Sequence, residues 1–228
     1  MNYYQFEEEI AEILQKIGIP KERFNIAPGP IHFEGYYYNI LGERYIYAYF
    51  ERGNTTVLID TNSYDDFKYS ILRDIVKKFS IDYELKNRLW YQDTRRIWMD
   101  KSKELMAKID SRYCEELSRE YNEVLIEHPF DDETQVKMNV LLELYKVISK
   151  INISHNLKLK RNLKAIKSKI KKTVNCSLKY DNKVIINIIN KSTNLYKKIK
   201  SSDMQLDDSI ATELDFVLSM DLNFLRDN

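Results

Sequence analysis

Residues 36–60 read YYYNILGERYIYAYFERGNTTVLID, and this tyrosine-rich stretch decides the fold. Glycines at positions 42 and 53 divide the stretch into three short segments rich in tyrosine, isoleucine and valine. Aromatic and β-branched residues favour strands, and glycine favours the turns between them. The stretch therefore predicts a small three-stranded antiparallel sheet.

Tyrosine alternates with smaller or more apolar residues in the middle predicted strand. Side chains two positions apart lie on the same face of a strand, so one face is tyrosine-rich. We expect helices to cover one face of the sheet and at least three tyrosines to remain on the open face. Tyrosine combines a large contact area with a polar tip, which suits a protein partner and also an ordinary core. The candidate partner-binding residues are Tyr36, Tyr38, Tyr45, Tyr47 and Tyr49.

Before and after the predicted strands, apolar residues recur at helical spacing. The pattern predicts helices over Tyr3–Ile17, Tyr64–Phe79 and Tyr83–Ile109, and another through Tyr113–Leu125 that ends at His128 and Pro129. Glu84 and Arg88 have the spacing and order of a favourable ion pair within one of these helices. The first part of the chain is therefore expected to be an α+β unit.

Beyond Pro129 the sequence contains neither proline nor glycine. Four blocks of apolar residues at helical spacing follow, separated by short polar stretches, which predicts a helical bundle. We expect two domains, an α+β domain over residues 1–132 and an all-α extension or bundle over residues 133–228.

Charge is strongly segregated along a chain whose net charge is only +1. Residues 155–200 carry 14 basic residues and one acid, whereas residues 1–154 carry 21 basic and 27 acidic residues. Residues 201–228 carry one basic and seven acidic residues. This distribution indicates internal charge complementarity or a charged partner.

The most basic segment is the predicted helix over residues 157–174, LKLKRNLKAIKSKIKKTV, with eight lysines and arginines. Such a helix can contact nucleic-acid phosphates, lie on an anionic membrane, or pack in a bundle with a solvated basic face. It lacks the several arginines and interleaved aromatics that favour nucleic acid. Neutralisation by the rest of the chain or by a protein partner is favoured, and a nucleic-acid-binding regulator is the alternative.

Sequence features typical of enzymes are missing. The glycines lack the spacing of a phosphate-binding loop, and His32, His128 and His155 do not form a metal-binding or triad pattern. Cys114 and Cys176 are far apart, and adjacent acids such as Asp65 and Asp66 fit helix caps. We predict no catalytic residue, cofactor or metal. A protein without a signal peptide or membrane span is expected to be cytoplasmic.

Four short motifs follow one another between positions 51 and 132. They are Glu51-Arg52-Gly53, then Asp82-Tyr83-Glu84 with Arg88, then Gln92-Asp93-Thr94-Arg95-Arg96, and finally Glu127-His128-Pro129-Phe130-Asp131-Asp132. In this order and spacing they resemble the immunity protein 63 family of bacterial polymorphic toxin systems, over about residues 3–132. The resemblance implies a cytoplasmic antitoxin that binds and neutralises a cognate toxin domain without catalysis.

The motif residues are interpreted as scaffold, because residues shared among antidotes to different toxins do not determine which toxin is bound. Arg88, Arg95 and Arg96 can tie a helix to its neighbours or reach a partner, and Asp93 can pair with Arg96. We expect the toxin-contacting surface elsewhere, on exposed tyrosines or acidic patches. An acidic surface suits a basic toxin through electrostatic steering.

Overall fold

The computed structural model describes residues 2–153, 156–175, 181–202 and 206–219. His155 and Cys176 lie outside these ranges. The chain divides into two compact units. The first contains residues 1–89 and 94–130, and the second contains residues 90–93 and the described residues from Asp131 onward. Among the described residues, none of the helices combines the length and the apolar character needed to cross a bilayer.

The first unit contains a four-stranded mixed sheet in the order β1-β2-β3-β4. Its strands are β1 (Ala27–Pro28), β2 (Gly35–Leu41), β3 (Arg44–Glu51) and β4 (Asn54–Thr61). The predicted antiparallel strands are β2, β3 and β4, while β1 pairs parallel to β2 and was missed. A two-residue edge strand containing a proline has no alternating pattern that sequence reasoning can detect.

The turn between β3 and β4 is set by two residues with positive φ. Arg52 has φ 50° and Gly53 has φ 81°, and Glu51 pairs with Asn54 across the hairpin. Two-residue hairpin loops favour positive φ because this matches the twist of the flanking strands. The register shifts once along the hairpin, since Tyr47 pairs with Ile59 and its neighbour pairs with Val57.

Four helices complete the first unit. They are α1 (Tyr3–Lys16), α2 (Tyr64–Asn87), α3 (Thr94–Ile109) and α4 (Ser111–Glu127), with a short 3₁₀ turn at Lys21–Arg23. The predicted helices Tyr64–Phe79 and Tyr83–Ile109 are wrong in their division near Ser80, because α2 runs without a break from Tyr64 to Asn87 and α3 begins only at Thr94. Serine and aspartate in this position weaken a helix only slightly, unlike proline or glycine.

The core of the first unit is aromatic. Phe6, Ile10 and Leu14 of α1 are fully buried, as the periodicity predicts. Phe6 and Phe67 have ring centroids 5.0 Å apart, and Tyr38 lies 5.0 Å from Phe6. Asn2 and Gln5 form a reciprocal capping box that begins α1. Helices α1 and α2 therefore pack on one face of the sheet.

The second unit is helical, as the apolar spacing predicts. Its helices are α5 (Asp132–Lys150), α6 (Leu157–Asn175), α7 (Asn182–Lys200) and α8 (Asp208–Ser219). Its buried residues are almost all leucine, isoleucine and valine, with Tyr196 as the aromatic exception among the described residues. The division into domains at residue 132 stays a prediction, because compact packing alone does not establish independent folding.

Candidate partner-binding site

The tyrosine face of the sheet is covered by helices, so the prediction of an open tyrosine surface is wrong. Tyr38 and Tyr47 have no exposed surface, and Tyr45 is buried with a ring centroid 5.3 Å from that of Phe67. Tyr36 and Tyr49 are half-buried and pair with each other across β2 and β3. These five residues belong to the core or its margin.

Carboxylates on the covering helices explain why tyrosine occupies this face. The Tyr38 hydroxyl donates to Glu7 of α1 at 2.8 Å, and the Tyr47 hydroxyl donates to Asp74 of α2 at 3.0 Å. A buried hydroxyl with an acceptor avoids the cost of an unpaired polar group. The opposite sheet face buries Tyr37 and Ala48 against Ile31, so it does not expose a tyrosine patch either.

An acidic groove lies where β4, the beginning of α2 and α4 converge in the first unit. Its volume is about 480 Å³. The residues that line it are Leu58, Ile59, Asp65, Asp66, Tyr69, Ser70, Arg73, Arg112, Tyr113, Glu116 and Glu120. Four of these side chains are carboxylates and two are guanidiniums, so the lining carries net negative charge.

One end of the acidic groove is organised around Asp65. The Tyr113 hydroxyl donates to Asp65 Oδ1 at 2.6 Å, and Arg112 lies 3.6 Å from the other carboxylate oxygen. Arg112 also pairs with Asp110 at 2.6 Å, and Asp110 caps the N-terminus of α4. The N-terminal ends of α2 and α4 are thereby connected through charged side chains.

The other end of the acidic groove is organised around Glu120. The Tyr69 hydroxyl donates to Glu120 Oε1 at 3.0 Å, and Arg73 Nη1 donates to the same oxygen at 3.2 Å. The rings of Tyr69 and Tyr113 are 5.3 Å apart in an edge-to-face arrangement. The two ends are thus joined by a pair of buried tyrosines.

The pKa values of Tyr69, Tyr113 and Arg73 in the groove are all raised. Burial raises the pKa of Tyr69 and Tyr113, and the carboxylates of Glu120 and Asp65 raise it further, so both hydroxyls stay protonated donors. Burial opposes the charge of Arg73, but Glu120 and Asp74 outweigh it and raise the pKa of this arginine. The groove is therefore a preorganised charged surface at neutral pH.

Two carboxylates of the groove lining are accessible to solvent. Asp66 is exposed and has no hydrogen-bond or ion-pair partner for its side chain in the described part of the chain, whereas Glu116 pairs with Arg119 at the helix surface. Leu58 adds an apolar contact area and is 44% exposed. This combination suits recognition of a basic protein surface.

Sequence reasoning missed the groove. It assigned Asp65 and Asp66 to helix caps, whereas the N-cap of α2 is Ser63, whose hydroxyl accepts from the Asp66 amide. The signal that points to a groove is the repeat of acids on α4, where Glu116 and Glu120 are four positions apart and share a face.

Residues 42–123 match the profile of the family described as Immunity protein 63. Every residue that lines the acidic groove lies within this match. The resemblance inferred from the motifs is confirmed over these residues, which run from the turn before β3 into α4. No curated protein and no solved structure matches the chain.

Within the immunity protein 63 match, Glu84 and Arg88 form the predicted ion pair. Arg88 donates to both Glu84 oxygens, at 2.6 and 3.0 Å, and Glu84 is 2% exposed. Tyr83 is exposed on the same helix, and Lys101 lies 5.1 Å from its ring. The pair joins adjacent turns at the end of α2.

The arginine motif at the start of α3 contacts the segment that follows α4. Arg95 donates to the carbonyls of His128 and Pro129, both at 2.7 Å, and Arg96 lies 4.1 Å from the Phe130 ring. His128 caps α4, with its amide donating to Val124. These contacts support the interpretation of the motif residues as scaffold, which stays a prediction.

Asp93 and Asp131 connect two motifs within the second unit. The Asp131 amide donates to Asp93 Oδ2 at 3.1 Å, and the Asp93 amide donates to Asp132 Oδ1 at 2.8 Å. Asp93 is 6% exposed, and its reciprocal backbone contacts hold residues 90–93 against the start of α5. The sequence places these motifs 38 positions apart and does not indicate this contact.

Proposed function

We propose that this chain is an immunity protein that neutralises a cognate toxin by direct protein–protein contact, and that the acidic groove is its contact surface. The observation that carries the proposal is the immunity protein 63 match together with the position of the whole groove inside it. The family motif residues described above lie mainly in internal contacts, such as Glu84 with Arg88 and Arg95 with the His128 carbonyl, so we assign recognition to the acidic groove instead.

The chemistry of the groove fits a basic partner. Charged groups that are already held in place accelerate association and lose little conformational freedom on binding. Contacts with tyrosine and arginine hold the carboxylates of Asp65 and Glu120 in place. Asp66 and Glu116 present negative charge at the surface of the groove. Inhibition by occlusion requires no reaction, so the proposal assigns this chain no catalytic residue, cofactor or metal.

Co-expression with the toxin domain encoded immediately upstream of the gene tests the function. Survival of the cells and purification of a one-to-one complex are expected. Continued killing together with the absence of a complex would overturn the antitoxin function.

Charge reversal on α4 tests the site. We expect Glu116→Lys to weaken the complex by about tenfold, since it reverses a charge in the groove lining. Glu115→Lys is the matched control, because Glu115 is the adjacent exposed residue of α4 and does not line the groove. Equal weakening by both variants, measured by titration calorimetry, would remove the groove from the proposal and leave the antitoxin function standing.

A further inference from the structure

The basic helix α6 has no internal neutralisation in the described ranges of the chain. None of its eight lysines and arginines forms an ion pair there, and six of them are exposed. Two of the three carboxylates of α8 are paired with other helices, since Glu213 pairs with Lys150 of α5 and Asp215 pairs with Lys200 of α7. The positive charge of α6 therefore faces outward.

A groove of about 390 Å³ lies between α6 and α7. Its apolar floor is formed by Ile166, Ile188 and Leu195, and lysines from both helices line it. Ala165 is exposed among much longer side chains, and its small size leaves space above the floor. We call this feature the lysine groove.

The lining of the lysine groove combines apolar and cationic surface and, among the residues that the structure describes, contains no acid and no aromatic residue. Lys169, Lys191 and Lys198 supply the charge. Nucleic acid is recognised best by arginine side chains and by aromatic rings that stack on bases, and this lining has neither. Phosphate groups also make no favourable contact with an apolar floor. An amphipathic helix fills such a groove with apolar side chains and meets the lysines with carboxylates.

We propose that the lysine groove is a docking site for an acidic amphipathic helix of a protein partner. Charge complementarity carries the assignment, because three lysines border an apolar floor and no described residue of the lining is acidic. An apolar side chain of the partner enters the space above Ala165 and contacts Ile166 and Leu195. This site lies in the second unit and does not depend on the proposed toxin contact in the first.

The test uses the full chain and a synthetic acidic helical peptide with leucines every third or fourth position. Fluorescence anisotropy is expected to show binding that weakens with salt. Ala165→Leu fills the groove and is expected to weaken binding about tenfold, as is Lys191→Glu. Ser168→Leu is the matched control, because Ser168 is exposed on α6 and does not line the groove, so binding is expected to be unchanged.

Several outcomes would overturn the proposal. One is the absence of peptide binding by a chain whose circular dichroism is normal. Another is equal binding of a peptide of the same composition with its leucines scattered, which would indicate charge attraction without docking. Binding of a short generic RNA duplex that exceeds peptide binding and is unchanged by Ala165→Leu would assign the basic face to nucleic acid. Concentration-dependent dimerisation abolished by Ala165→Leu would assign the groove to a second copy of this chain.

Discussion

The two units of this chain are built on different kinds of contact. The first unit buries tyrosine hydroxyls against carboxylates of its helices, as Tyr38 with Glu7 and Tyr47 with Asp74. The second unit buries mainly aliphatic side chains on four helices. Directional hydrogen bonds specify one arrangement of sheet and helices, whereas aliphatic packing depends chiefly on shape and area. The first unit should therefore respond more strongly to alkaline pH, at which buried tyrosine hydroxyls lose their protons.

The two regions also differ in their balance of basic and acidic residues. Residues 1–130 carry 18 basic and 23 acidic residues, whereas residues 131–228 carry 18 basic and 12 acidic residues. Charges around the acidic groove are joined by ion pairs, but those of α6 have no ion pairs within the described ranges. Four experiments sharpen or break this comparison.

Alkaline pH is expected to have the largest effect and to unfold the first unit selectively. Burial, followed by a neighbouring carboxylate, raises the pKa of Tyr38, Tyr47, Tyr64, Tyr69 and Tyr113. A tyrosine whose pKa is higher in the folded chain than in the unfolded chain stabilises the fold fully at pH values below its unfolded pKa of 10.0. This stabilisation is lost as the pH rises from 10.0 towards the pKa in the folded chain. Tyrosinate absorbance and segment-resolved hydrogen exchange measure this loss. Simultaneous unfolding of both units below pH 10 would break the comparison.

Core truncation is the next largest effect. Phe67→Ala is expected to cost about 3–5 kcal/mol and Leu144→Ala about 2–5 kcal/mol, since each removes a fully buried side chain. If the predicted domains fold independently, each variant accelerates hydrogen exchange only in its own unit. Faster exchange throughout the chain in either variant would show that the two units unfold together.

Much of the fold follows from local pattern. The periodicity of α1 and of the four helices of the second unit is clear because each presents one apolar stripe. Local pattern does not show which face of the sheet the helices cover, since both faces of β3 carry residues that pack well. Tyrosine suits a buried face only when an acceptor lies above it, and Asp74 provides this acceptor from a separate helix. The groove likewise depends on contacts between α2 and α4 that no local pattern contains.

The Tyr47–Asp74 contact gives a smaller and asymmetric effect. Asp74→Ala leaves the buried Tyr47 hydroxyl without its acceptor and is expected to cost about 1–3 kcal/mol. Tyr47→Phe removes the donor instead and is expected to cost about 0.5–1.5 kcal/mol, because Asp74 keeps Arg73 as a neighbour. Denaturant unfolding measures both. A larger loss from Tyr47→Phe would show that the hydroxyl has a second role.

Relief of repulsion on α6 is the smallest effect and has the opposite sign. Lys164 lies one turn from Lys160, Arg161 and Lys167. Lys164→Glu is expected to stabilise the second unit by about 0.5 kcal/mol at low salt, with Lys164→Gln giving a smaller gain. The gain should vanish at high salt, where exposed charges are screened. A loss of stability in Lys164→Glu would mean that the chain already neutralises α6.

The assignment of residues 90–93 to the second unit has a consequence for how such a chain shortens during evolution. These four residues lie between α2 and α3, yet Asp93 accepts from the Asp131 amide and the Trp90 carbonyl accepts from Asn139. A deletion that removed everything after Phe130 would take away both donors. In a chain shortened in this way the second unit would no longer cover residues 90–93, and water would take the place of these two donors.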